Sequence, residues 1–181
     1  LIIKQSQTVK CATFKDGRRL GQILAIPVHV SGVTGRNVLR STSVERRLVN
    51  GVRGSLKNTD DEWTFWKKND SIAVTIDVGA RKRLGKVSLG YLNHFGLGIH
   101  KPQRVEVWLS DNDVHYWKAT EQTFGRDEIF AEGRFTEEME LILKDVARYV
   151  RVIMKGAGKC PEHHVRPGLE AQIYLDEVLI E

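Results

Sequence analysis

Apolar residues at every second position recur along this 181-residue chain. Residues 72–78 place Ile72, Val74, Ile76 and Val78 on one face, and residues 84–92 turn Val87, Leu89 and Tyr91 inward. Residues 104–110 do the same with Val105, Val107 and Leu109, and residues 148–154 set Val150, Val152 and Met154 against Tyr149, Arg151 and Ile153. A period of two is the mark of a half-buried strand. Further strand-like runs cover residues 115–120, 139–144 and 171–181. No amphipathic helical pattern lies between them; only residues 126–140 leave room for a short helix, and Gly125 and Gly133 limit it. Strands joined by turns and loops of about 6–15 residues predict an all-β, antiparallel sandwich.

The N-terminal stretch reads as a unit of its own. Two strand-like runs, 8–14 and 18–24, flank Lys15, Asp16 and Gly17, and Asp-Gly between such runs predicts a hairpin. A hairpin has no core to itself, so residues 1–28 either pack on the remainder or end a preceding domain. The chain opens at Leu1 in what reads as mid-strand, so it is expected to be a piece of a longer protein. Residues 29–44 read as a connector into an edge strand, and the main domain is expected over 29–181. Asn50-Gly51 marks a turn and Gly54 a second bend. Residues 155–170 hold three of the sixteen glycines and two of the four prolines. That makes a long shaped loop, and such loops on β scaffolds carry binding.

Charge narrows the function. The net charge is +5, and Lys and Arg outnumber Asp and Glu 17 to 7 over residues 1–90 but trail 11 to 16 over 91–181. The basic residues fall at turns, with no recognition helix or aromatic-basic motif, so nucleic acid is not an expected partner. No apolar run approaches the roughly 18 residues needed to span a bilayer. Cys11 and Cys160 are too far apart in sequence to suggest a disulfide framework or a zinc site, and read as two unpaired small hydrophobes. Asp60, Asp61 and Glu62 sit in one loop, whereas glycosidase carboxylates face each other across a cleft. No Gly-x-Ser-x-Gly turn is present either. The chain itself is therefore not expected to be an enzyme.

Three loops, 58–66, 93–101 and 155–168, are expected to meet at one end of the sandwich. They carry Asn58, Asp60, Trp63, Trp66, His94, Phe95, His100, His163, His164 and Arg166. Aromatic rings beside amide, imidazole and guanidinium groups suit a sugar: the ring covers the apolar C–H face, and the polar groups read the hydroxyls. A core position plugging the sandwich end is the competing expectation for Trp63. Trp117 is expected in the core, and Trp108 on the sheet surface or under a loop. His163 and His164 do not match a His-x-x-x-His metal spacing.

Several strings, taken in order, carry a family resemblance. They are Leu48-Val-Asn-Gly-Val-Arg-Gly-Ser55, the Trp63 region, a strand ending Ile76-Asp-Val-Gly79, and Pro102-Gln-Arg-Val-Glu-Val-Trp-Leu-Ser110. Ala147-Arg-Tyr-Val-Arg-Val152, Gly158-Lys-Cys-Pro-Glu-His163 and the terminal Asp176-Glu-Val-Leu-Ile-Glu181 follow. Together, over residues 35–181, they resemble the coagulation-factor type C (discoidin) fold shared by family 32 carbohydrate-binding modules. The nearest likeness is to the version trailing bacterial β-N-acetylhexosaminidases (chitobiases) of glycoside hydrolase family 20. The hairpin resembles the end of the small immunoglobulin-like domain that precedes the module in such enzymes.

The resemblance implies a galactose-binding-domain-like jelly roll. It also implies an accessory role in a periplasmic or extracellular glycosidase, either binding a glycan or oligosaccharide or bracing the catalytic domain in cis. From the candidate loops the ligand-binding set is Asn58, Trp63, Trp66, His94, Phe95, His163, His164 and Arg166. Many modules of this kind hold a structural Ca²⁺, whose ligands by position would be the backbone oxygens of Leu48 and Val52, the side chains of Asn50 and Ser55, and Glu177. Hard oxygen donors of that mixture suit calcium. Asn50 stands where the family usually has Asp. The cysteine pair and apolar membrane spikes of the blood-factor domains have no counterpart, so no membrane insertion is expected.

Overall fold

The computed structural model describes residues 2–40, 45–67 and 71–181. Leu1 and the last four residues of the expected 29–44 connector lie outside the described residues. In chain order the strands are β1 (Gln7–Lys15), β2 (Arg18–Val28), β3 (Asn37–Leu39), β4 (Thr64–Trp66), β5 (Ile72–His94), β6 (Arg104–Ser110), β7 (Trp117–Thr123), β8 (Arg134–Lys155) and β9 (Ile173–Ile180). A single helical turn, α1 (Arg126–Ile129), follows β7, where the sequence left room for one. Among the described residues no helix is long and apolar enough to cross a membrane.

β5 and β8 organise the sandwich. Sequence periodicity breaks each into two strands, yet each runs unbroken, over 23 and 22 residues. Their antiparallel pairing slips between Asp77 and Lys82 and again between Leu84 and Lys86. Gly79 sits in that slip at φ 92°, a backbone region that costs glycine nothing, and an added Cβ would lie 2.7 Å from the Arg36 guanidinium. Before the bend, β5 pairs with β3 and with residues 149–154 of β8, which in turn pair with β6, and β6 with β7. After it, β5 pairs with residues 134–147 of β8 and with β9, and β9 with β4. Each long strand therefore belongs to both layers.

The alternating positions meet between the layers. Val74, Ile76 and Val78, Val105, Val107 and Leu109, and Val150, Val152 and Met154 pack in one cluster with Leu84, Val87, Leu89, Leu141, Leu175 and Ile180. Burying each such side chain contributes about 1.5–3 kcal/mol. β9 is buried along both faces, which is why it lacks clean alternation. The 3₁₀ turn Glu45–Val49 and the loop after it lie against it.

β1 and β2 form a separate two-stranded sheet. Asp16 and Gly17, at φ 48° and 73°, make the two-residue turn with both angles positive that suits the twist of a hairpin. Nearly all its side chains are exposed, Phe14, Leu20, Ile23 and Leu24 included. It joins the sandwich where His29 N–H donates to Gly51 O at 2.6 Å and where Val28 bridges Val52.

Candidate functional site

The three loops converge on one end. Gln172 N–H donates to Gly98 O at 2.8 Å and His100 N–H to Gln172 O at 2.9 Å, tying the loop after β5 to the chain entering β9. Within the β8–β9 loop, Cys160 N–H donates to Leu169 O and Gly168 N–H to Cys160 O, at 2.8 and 3.0 Å. Trp63 brings in the third loop by packing on Leu92, Ile99 and Tyr174.

Convergence does not place every candidate in the open. Trp63 is 2% exposed, its indole N–H donates to Ser55 O at 3.0 Å, and its ring lies directly on Gly54. It plugs the sandwich end and presents no face to a ligand. Trp66 is half-buried against the core. Asn58, half-buried, hydrogen-bonds Tyr174. His94 and Phe95 are half-buried; His163 and Arg166 are exposed; His164 is buried. The ring that does face water here is Phe65, 46% exposed, stacked on Tyr174 at 5.0 Å with Lys67 Nζ 5.5 Å from its centroid. The sequence signal for it is an aromatic lying between Trp63 and Trp66, on the short strand β4.

Behind this rim lies a buried cluster of His100, His164 and Cys160, each offering one ligand atom within 4.8 Å of the others. The two imidazoles meet Nε2 to Nε2 at 3.2 Å. His100 Nδ1 faces Asn93 Oδ1 at 3.2 Å, and the Asn93 amide donates to Ala131 O and Gly133 O. This fixes the proton of His100 on Nδ1 and leaves a lone pair on Nε2. Arg166 N–H donates to His164 Nδ1 at 2.9 Å, so the proton of His164 sits on Nε2 and closes the chain. Burial, then the neighbouring His164, pushes His100 down to about 4. Burial likewise lowers His164. Both rings are neutral at pH 7. Cys160, read from the sequence as an isolated hydrophobe, thus sits against two imidazoles. Cys160 and His164 are four apart on one loop, but His100 is sixty residues away, which hid the group.

Of the calcium ligands that the resemblance implies, Glu177 touches the 48–55 loop through Gly51. This carboxylate is fully buried; Oε2 accepts Gly51 N–H at 2.9 Å, while Oε1 has no partner among the described residues. Burial pushes its pKa up to about 9. A buried carboxylate oxygen without a donor is costly unless a cation meets it. Gly51, at φ 81°, has no room for a side chain: a Cβ would lie 2.6 Å from His29 O. Asn50 Oδ1 accepts Val52 N–H at 2.8 Å and keeps a second lone pair. The Glu62 carboxylate is held beside it by the Asn50 amide at 2.7 Å. A hard cation beside the 48–55 loop would find its charged ligand in Glu177 Oε1. Ser55 is exposed, its hydroxyl oxygen accepting Lys57 N–H at 3.2 Å.

The opposite end holds an open hollow that the sequence did not suggest. Ser110 Oγ accepts the N–H groups of Asn112 and Asp113, and Asn112 Oδ1 accepts those of Val114 and His115, so the β6–β7 turn is tied throughout. Asp113 accepts from Arg40 and from the Tyr116 hydroxyl, and Arg40 holds its carboxyl below the usual range. The Arg151 guanidinium lies 3.7 Å from the Tyr116 ring centroid. Asp111, Asn112, His115, Tyr116 and Trp117 line a hollow of about 370 Å³. Trp117, expected in the core, is 38% exposed because β7 is an edge strand with most of its residues open to water.

No family model matches this sequence, and no curated protein does. Solved structures do. Chitosan-binding module 1 of a chitosanase/glucanase from Paenibacillus sp. IK-5 aligns at a TM-score of 0.55 and 13% identity, covering 84% of this chain and 99% of that one. The lectin domain of lectinolysin complexed with Lewis B antigen aligns at 0.52 and 20%, covering 84% and 96%. The fold is that of the carbohydrate-binding modules. The C-terminal domain of a chitobiase from Bacteroides fragilis overlays at 0.47, with 15% identity and coverage of 83% and 95%. A carbohydrate-binding-module fold fixes where loops gather, and the chemistry must come from the side chains at its two ends.

Proposed function

We propose that this chain is a non-catalytic carbohydrate-binding module, accessory to a secreted glycosidase of the β-N-acetylhexosaminidase (chitobiase) type. The observation that carries it is the Trp117 hollow. A half-open indole beside a carboxylate, a carboxamide and an imidazole joins a flat apolar surface to directional polar groups, in a space within the size range of small-ligand sites. Chitosan binding and a bound Lewis B antigen are stated of two neighbours, and they favour an oligosaccharide as ligand. Hydrolysis belongs to a catalytic domain in cis: among the described residues Asp111 is the one carboxylate lining the hollow, and glycosidases need an opposed pair.

Affinity of a lone module should be weak, about 0.1–1 mM, or about −4 to −5.5 kcal/mol. NMR titration with galactose, N-acetylglucosamine and their oligomers tests this. Shifts should centre on residues 111–117, and Trp117→Ala should weaken binding at least tenfold. Silence at high millimolar sugar would leave only the bracing role. A second platform is favoured by the open ring of Phe65 beside Asn58 and Trp66, at the rim first expected from the sequence. Shifts centred there, lost in Phe65→Ala or Trp66→Ala but not in Trp117→Ala, would move the site to that end.

We also propose that Glu177, Asn50 and the backbone oxygens of Leu48 and Val52 hold a structural Ca²⁺, with Ser55 contributing through its exposed hydroxyl. The ion would supply the partner that Glu177 Oε1 lacks and pin the 48–55 loop to β9. Calcium at a hundredfold excess over its Kd should add about 2.7 kcal/mol. For a chain of this size that raises Tm by about 5–10 °C. Glu177→Gln should abolish the response; an unchanged response in that variant would remove Glu177 from the site.

A further inference from the structure

We propose that His100, Cys160 and His164 form a zinc site that clamps the β8–β9 loop onto the loop following β5. The three residues are buried, and their ligand atoms lie within 4.8 Å of one another. Two nitrogens on one tetrahedral zinc, each bonded at about 2.0–2.1 Å, stand roughly 3.3–3.4 Å apart. The imidazole Nε2 atoms are 3.2 Å apart. The two imidazole nitrogens are thus already at the spacing an ion needs, with the Cys160 sulfur within 4.8 Å of them. Two imidazoles and a thiolate are borderline-soft donors that favour zinc over calcium or magnesium. Among the described residues no fourth His, Cys, Asp or Glu atom joins the group, which leaves the fourth position to water.

The surroundings suit the ion too. Asn93 Oδ1 accepts a hydrogen bond from His100 Nδ1–H, and its amide is itself anchored by donating to Ala131 O and Gly133 O. An outer partner of this kind orients a metal-binding imidazole and raises its basicity. Phe95 packs on His164 at 4.1 Å and Phe130 on His100 at 5.0 Å, giving an apolar wall on two sides. A bound zinc ion would take Cys160 as the thiolate.

Proton balance is explicit. On zinc entry the Cys160 thiol releases its proton to solvent. The Nε2 proton of His164, which now bridges to His100, transfers to Nδ1, freeing Nε2 for the ion. The Arg166 N–H contact opens, and that exposed residue turns its amide to water.

Cobalt titration of the 181-residue chain tests the site, in a Cys11→Ser background that removes the exposed second thiol. One equivalent of Co²⁺ should give a thiolate charge-transfer band with tetrahedral ligand-field bands, and Zn²⁺ should bleach both. Cys160→Ala should abolish the charge-transfer band, and His164→Gln should lower Co²⁺ affinity at least a hundredfold. Asn93→Ala should keep the spectrum and weaken binding about ten- to a hundredfold. Should the ligand variants fail to fold, the spectrum of Cys11→Ser alone decides. Octahedral cobalt without charge transfer, or a band that survives Cys160→Ala, would overturn the site and leave a hydrogen-bonded imidazole pair.

Discussion

Gly54→Ala should be among the most damaging single-methyl insertions in the chain. The new Cβ would sit 2.4 Å from Trp63 Cε2 and 2.6 Å from Cζ2, well inside contact distance. The indole has little room to retreat, because Leu92, Ile99 and Tyr174 back it. Overpacking of this kind costs about 1–3 kcal/mol. Moving the ring also breaks the Trp63 Nε1–Ser55 O hydrogen bond, for about another 1 kcal/mol. The combined loss, about 2–4 kcal/mol, corresponds to a fall in Tm of about 4–16 °C for a chain of this length. Urea melts followed by near-ultraviolet circular dichroism give both the energy and the packing of the indole. A double-mutant cycle with Trp63→Phe sharpens the test, since the smaller ring leaves space for the methyl and the two losses should not add. Additivity within about 0.5 kcal/mol, or a Gly54→Ala loss below that figure, would refute the reasoning.

Two further outcomes follow from buried and half-buried charges. Arg53 Nη1 lies 3.1 Å from Asp176 Oδ1, and Asp176 is 4% exposed, so Arg53→Ala strands a buried carboxylate and should cost about 3–5 kcal/mol in urea melts. Adding Asp176→Asn should recover part of that loss; equal losses in both backgrounds would contradict the pairing. The Arg148 hydrogen bond, against a smaller opposing effect of burial, holds Asp77 below the usual carboxylate range. A depressed folded pKa stabilises above the unfolded value and loses that stability as pH falls through the folded one. The acid limb of Tm against pH should therefore flatten in Asp77→Asn, by a small amount because Arg148 is exposed and solvent screens the pair. An unchanged limb would argue against the link.

Alternation made the inner faces legible. Val105, Val107 and Leu109, like Val150, Val152 and Met154, are buried where period two places them. Continuity was not legible. Gly79 and the register slips interrupt the pattern of β5 and β8 without ending either strand, so each reads as two. The fate of single aromatics was harder still. Trp63 and Trp117 both flank loops, and only the lid over one and the edge position of the other decide which is covered. Backbone reach likewise escapes sequence: His100 joins Cys160 and His164 only because the chain entering β9 hydrogen-bonds back to the loop after β5.

The bend shared by β5 and β8 has a mechanical consequence. The two layers are stitched by continuous polypeptide, so peeling one away demands that hydrogen bonds on both sides of Gly79 rupture together. Melting should then run as one cooperative event across the sandwich. Amides on either side of the kink should exchange with solvent at a common, slow rate, while those of the projecting β1–β2 arm exchange early.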